Sequence, residues 1–175
     1  MFRRLMCLAV PGALRTASGV FAGAAASSAS TAGRGPKWQI VSAAPCTIDA
    51  SFCGFPIGVD PVSKEFSKVL KTPDGTTVSL TTGPLKTTFT NLDTGTAINQ
   101  NTSGPGKITS FPDGTATVAA KGLNGPIVLT PGQTAQFGLP PVIVTAGPLT
   151  VALDANGDIT SITAKVHGDV CAALS

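Results

Sequence analysis

The chain has no tyrosine, one tryptophan (Trp38), one histidine (His167) and one glutamate (Glu65), and charged side chains make up only 12% of its 175 residues. Each shortage excludes something. With no tyrosine and a single tryptophan, a stacking platform for sugar rings is not expected. Glycoside cleavage needs two opposed carboxyl groups, and most of the eight aspartates (Asp74, Asp93, Asp113, Asp154, Asp158) stand in turn sequences where the carboxylate bonds its own backbone. A lone histidine and irregularly spaced thiols do not match a zinc site, so no metal and no cofactor are expected. No G-x-S-x-G nucleophile elbow occurs. Neither apolar stretch near the N-terminus reaches the roughly 20 residues that cross a bilayer, and no transmembrane segment is expected after them.

What is abundant points one way. Gly 20, Pro 14 and frequent threonine go with 42% hydrophobic residues, enough to build a core despite the low charge. Many β-branched residues and turn formers, with few helix formers, predict strands joined by turns.

The first 32 residues have the three parts of a secretion signal. Met1-Phe2-Arg3-Arg4 is positive, Leu5 to Leu14 is apolar, and Ala17 to Ala26 is a second small-residue run after Arg15. A-x-A-like sites follow at Ala24–Ala26 and near Ala29–Ala32. Residues 1–32 are therefore read as a signal peptide, 33–45 as an irregular lead-in and 46–175 as one all-β domain. The expected location is secreted, extracellular or at the cell surface. Cleavage near Ala32 leaves nine basic residues against nine acidic ones, a net charge of zero without a basic cluster. Nucleic acid is not an expected partner.

Three cysteines follow the leader: Cys46, Cys53 and Cys171. An oxidising destination favours one disulfide and leaves one thiol over. Loop-closure entropy favours the long bridge: Cys53–Cys171 is worth about 5 kcal/mol and Cys46–Cys53 roughly 2.5 kcal/mol. Cys53 with Cys171 is the expected pair, with Cys46 as the alternative partner.

Turn signals stand at Pro73-Asp74-Gly75, Asp93-Thr94-Gly95, Gly104-Pro105-Gly106, Pro112-Asp113-Gly114, Asn124-Gly125-Pro126 and Asp154 to Asp158. Between them apolar and polar residues alternate. Val78 and Leu80 share one face, and Leu85 and Phe89 continue on the next strand. Leu149, Val151 and Leu153 alternate with Thr150 and Ala152; Ile162, Ala164 and Val166 alternate with Ser161, Thr163, Lys165 and His167. The pattern predicts an antiparallel meander of about eight to ten strands, closed as a barrel or folded as a sandwich. Residues 131–141 (PGQTAQFGLPP) read as the longest loop.

Several of these runs look alike in one group of proteins. Cys53-Gly54-Phe55-Pro56-Ile57, Thr88-Phe89-Thr90-Asn91-Leu92, Ser103-Gly104-Pro105 and Phe111-Pro112-Asp113-Gly114 resemble small secreted actinobacterial all-β proteins of unknown function. Phe137-Gly138-Leu139-Pro140, Val144 to Pro148 and Asp169 to Leu174 resemble the same group. The resemblance implies export and an all-β body, and it carries no site residue.

Three constellations could carry chemistry. His167 and Asp169, two apart on a strand, share a face and could form the base–orienter half of a triad. Asp154, Asn156 and Asp158 open like a calcium loop, but Ile159 and Lys165 stand where glycine and a bidentate glutamate are needed, so a hairpin turn accounts for them. Phe52, Phe55, Phe66, Phe89, Phe111 and Phe137 either fill the core or line a cavity for a small apolar ligand. The expected function is that of a secreted or cell-surface protein with a non-enzymatic binding or structural role, its expected partner a small apolar ligand or a cell-surface partner. The alternatives are a small hydrophobic-ligand carrier and a hydrolase using His167 and Asp169.

Overall fold

The structure, a computed structural model, describes residues 36–175. The expected signal peptide and its cleavage site lie outside them. The described chain is all-β, as the alternation predicts, with antiparallel pairing throughout and three short helices.

The strands in chain order are β1 (Gln39–Val41), β2 (Cys46–Ile48), β3 (Ile57–Ser63), β4 (Glu65–Lys71), β5 (Thr77–Thr82), β6 (Leu85–Asn91) and β7 (Ala97–Asn101). They continue with β8 (Gly106–Ser110), β9 (Ala116–Ala120), β10 (Leu123–Val128), β11 (Val142–Ala146), β12 (Leu149–Leu153), β13 (Ile159–Thr163) and β14 (Val166–Asp169). The helices are α1 (Ala50–Cys53), α2 (Pro131–Phe137) and α3 (Val170–Leu174).

These strands are halves of longer, bent ribbons. β1, β4, β5, β8, β9, β12 and β13 form one seven-stranded sheet in that order. Each ribbon then turns a corner and continues into a second sheet: β2-β3-β6-β7 or β10-β11-β14. A row of backbone hydrogen bonds crosses the corners, from Lys64 N–H to the Pro84 carbonyl (2.9 Å), Lys121 N–H to Pro105 (3.1 Å), Gly147 N–H to Gly122 (2.7 Å) and Ala146 N–H to Lys165 (2.9 Å). At Gly83, φ is +134°, and a Cβ there would lie 2.6 Å from the Lys64 carbonyl oxygen. Only glycine lets the two ribbons cross so closely.

The corners explain why more strands appear than the turn spacing predicts. Gly104-Pro105-Gly106 is a corner within a ribbon, not a hairpin turn, and Asn124-Gly125-Pro126 lies inside β10 at an irregularity in its pairing with β11. The true hairpins at the far end of the large sheet are alike. In each, the first N–H donates to the last carbonyl, Phe111 to Thr115 and Asp154 to Asp158 at 2.9 Å, as Thr72 does to Thr76.

The two smaller sheets stack to make the core. Ile48, Ile57, Val59 and Phe89 of the four-stranded sheet meet Val142 and Val144 of β11, with Val170 and Leu174 of α3. The alternate β11 residue, Ile143, faces the other way, onto Ile127, Leu129, Leu149 and Val151. β11 is thus buried on both faces, and the three-stranded sheet is the middle layer of a stacked, sandwich-like arrangement in which no sheet closes into a barrel. Two buried polar contacts stitch it further: Thr87 Oγ1 with Thr102 Oγ1 (2.9 Å), and Asn91 Nδ2 donating to the Leu174 carbonyl (3.0 Å).

Three expectations are corrected. Residues 39–41 of the lead-in are not irregular but form edge strand β1, because β4 offers Glu65 to Ser67 as partners. The stretch 131–141 is not all loop: Thr130 and Gln133 form a capping box, with Pro131 in the first turn, and start α2. In β5 the alternation holds, but Ser79 is the buried residue, and Val78 and Leu80 point to the outer face.

Candidate functional site

The two residues with catalytic potential are placed apart in role. His167 is exposed on β14, at the irregular step in its pairing with β11. Asp169 ends that strand, and its carboxylate accepts the Ala172 N–H (3.2 Å) as the N-cap of α3. A capping carboxylate is committed to the helix it starts. Among the described residues no hydroxyl or carboxylate hydrogen-bonds to His167, so the third member that a hydrolase needs is not assembled there.

Three of the turn aspartates, Asp74, Asp113 and Asp154, bond their own turns as expected, whereas at the Asp93 turn it is Asn91 Oδ1 that accepts the Asp93 and Thr94 N–H groups. Asp154 Oδ1 accepts from Asn156 N–H (2.9 Å) and Asp158 N–H (2.8 Å). Asp74 accepts the Thr72 hydroxyl as well as the Thr76 N–H and hydroxyl, and Asp113 accepts both from Thr115. The Thr72 hydroxyl, foremost, holds the Asp74 carboxyl below the usual carboxylate range, and the Thr115 hydroxyl does the same to Asp113. Glu65 is shifted the other way, raised because it is partly desolvated beneath the corner, against a weak bond from the Ser63 hydroxyl.

The cysteines organise the end of the fold opposite those turns. Cys53, the last residue of α1, is bridged to Cys171 in α3 with a Cα–Cα distance of 5.3 Å, across 118 positions of sequence. This is the expected pair. The expectation of a thiol left over is not met, because Cys46 is not free. The bridge ties two short helices that a few residues of helix could not hold in place alone.

Beside it lies an opening that could take a small molecule. A cavity of about 290 Å³ is lined by Phe52, Leu129, Pro131, Thr134, Ala135 and Pro141. It is almost wholly apolar, and the Thr134 hydroxyl is buried without a hydrogen-bond partner. Only Phe52 of the six candidate phenylalanines lines it. Phe89 fills the core, Phe55 and Phe137 pack against it, and Phe66 and Phe111 are exposed. The lining residues of α2 were missed because prolines and glycines masked the helix, although Thr130-x-x-Gln133 was its legible signal. No protein-family model, curated protein or solved structure matches the chain.

Proposed function

We propose that this chain is an exported, non-enzymatic binding protein that works outside the cell or at its surface. The Cys53–Cys171 bridge is the observation that carries the reading. Such a bond between distant helices persists where thiols are oxidised, and small exported domains use it to lock a fold. The signal-like leader and the likeness to small secreted actinobacterial proteins support the same compartment. The occupied aspartates and the isolated His167 favour binding over hydrolysis.

Fractionation of cells making the full chain tests this. Protein in the medium or surface fraction, trimmed near Ala32 and lighter by two hydrogens per bridge, is the expected result. Reduced, untrimmed protein confined to the cytosol overturns it. The cavity beside Phe52 supports a second reading, a carrier of a small apolar molecule, for which native mass spectrometry of the released protein would detect a co-purified mass.

A further inference from the structure

The large sheet has one face turned to the core and one turned outward, and in its first half the outward face has the wrong polarity for water. The register places Ile40, Phe66 and Thr82 in one row, Lys68, Leu80 and Lys107 in the next, and Leu70, Val78 and Thr109 in a third. The intervening residues on the other face include Ser67 and Ser79, both buried, and Val69, which stays 39% exposed; the Ser79 hydroxyl has no partner. A half-solvated antiparallel sheet normally puts its hydroxyls outside and its aliphatic groups inside. Here Ile40 is 76% exposed and Phe66 45%. Leu70, Val78 and Leu80 are partly buried and belong to neither core cluster. Trp38, 49% exposed, immediately precedes β1 and stands two residues before Ile40.

The charges on this face have one sign. Lys68 and Lys107 flank Leu80, and no carboxylate lies on the outward face of the seven-stranded sheet among the described residues. The nine carboxylates are elsewhere. Asp60 is on the four-stranded sheet, Glu65 is on the inner face, Asp49 and Asp169 cap helices, and the rest are in turns. The second half of the face is plain: Thr117, Ala119, Thr150, Ala152, Ser161 and Thr163.

We infer that this outer face, around Trp38, Ile40, Phe66 and Leu80 with Lys68 and Lys107, docks on an anionic lipid surface. Tryptophan and aliphatic groups enter the headgroup boundary while lysine stems lie along it with the ammonium groups on phosphate. The absence of carboxylate on the face removes the repulsion that would otherwise oppose it. The inference deepens the reading of an exported surface binder and rests on it for its setting only. Lipid binding is measured on purified protein and export on cells, so either can fail alone.

The test uses the full chain and the emission of Trp38, the single tryptophan. Residues 1–35 carry none, so emission reports this face, whereas sedimentation would also count binding through the leader. Vesicles of phosphatidylcholine alone are compared with vesicles containing about one third phosphatidylglycerol. The expected result is a blue shift with the anionic vesicles only, reversed by about 0.5 M salt. Lys68→Gln and Lys107→Gln should each weaken the partitioning about fivefold. Ile40→Ser and Phe66→Ser should each weaken it roughly tenfold, with the circular dichroism spectrum unchanged. Sedimentation without a Trp38 shift, equal binding by all variants, or a shift that follows protein concentration without vesicles (a second copy covering the face) would each overturn the proposal.

Discussion

Gly83→Ala should be among the most damaging single-methyl additions in this protein. Gly83 sits at φ +134°, where an L side chain is strained by about 1–3 kcal/mol. The new Cβ would also stand 2.6 Å from the Lys64 oxygen and 2.7 Å from the Glu65 Cα, both backbone atoms that cannot swing aside. Moving them apart strains the Lys64 N–H to Pro84 bond, worth about 1 kcal/mol, on top of roughly 1–3 kcal/mol of overpacking. The sum is about 3–7 kcal/mol, a large part of the roughly 5–15 kcal/mol that holds a domain together. Urea unfolding reads it as a midpoint lowered by about 1.5–3.5 M, taking a slope of about 2 kcal/mol per molar. Gly54→Ala is the control: φ is +83°, but nothing lies within 4 Å of its added Cβ, so only about 1 kcal/mol is expected. Gly104→Ala isolates the contact term, because its Cβ would meet the Lys121 oxygen at 2.1 Å without a positive φ. Equal midpoints for Gly83→Ala and Gly54→Ala would refute the claim that close ribbon crossing shapes the corner.

Three further outcomes follow from other features. Cys53→Ser should lower stability by about 3–5 kcal/mol, and Cys171→Ser by the same amount, with the double variant no worse; unequal losses in urea would show that one partner does more than form the bridge. Thr145→Val should raise stability by about 1 kcal/mol in the same assay, since Thr145 is fully buried and its hydroxyl has no partner. The Asp74 and Asp113 carboxyls are held below their ordinary value of 3.8, so the stability they contribute is present above that pH and drains away as pH falls through the lowered folded value. Asp74→Asn and Asp113→Asn should therefore flatten the decline of stability below about pH 4, and a decline unchanged in the double variant would rule out these turns as its source.

The sequence made some of this legible because the relevant physics is local. Pro73-Asp74-Gly75, Pro112-Asp113-Gly114 and Asn156-Gly157 turn the chain whatever surrounds them, and they are hairpins in the structure. Leu149 and Val151 are buried as their alternation implied, and the entropy of a long loop favoured the Cys53–Cys171 bridge that is found. The rest depended on distant partners. A glycine–proline pair relieves the same steric limits whether the chain reverses or merely bends, so Gly104-Pro105 looked like a hairpin. β1 is too short to announce itself and exists through β4. The cavity beside Phe52 needs two helices, α1 and α2, and the residues that flank β10 and β11, from separate parts of the chain.

The hardest feature to read was the phase of β5, and its error is instructive. Alternation reports that Val78 and Leu80 share a face, but not which face is inside. A slip of one residue would exchange the faces and bury them. That slip is blocked at both ends of the β4–β5 pair, by the Asp74-Gly75 turn and by the close crossing at Gly83. The register is therefore fixed by turn and corner, against the preference of the side chains between them. Burying Ser79 with an unpartnered hydroxyl while leaving Phe66 and Ile40 in water lowers the stability of the folded chain. Folding offers little return for that arrangement, since neither core cluster uses the outward residues and Leu70, Val78 and Leu80 are only partly buried. The return has to come from something that meets the face from outside, and two lysines without a carboxylate say that it is negatively charged.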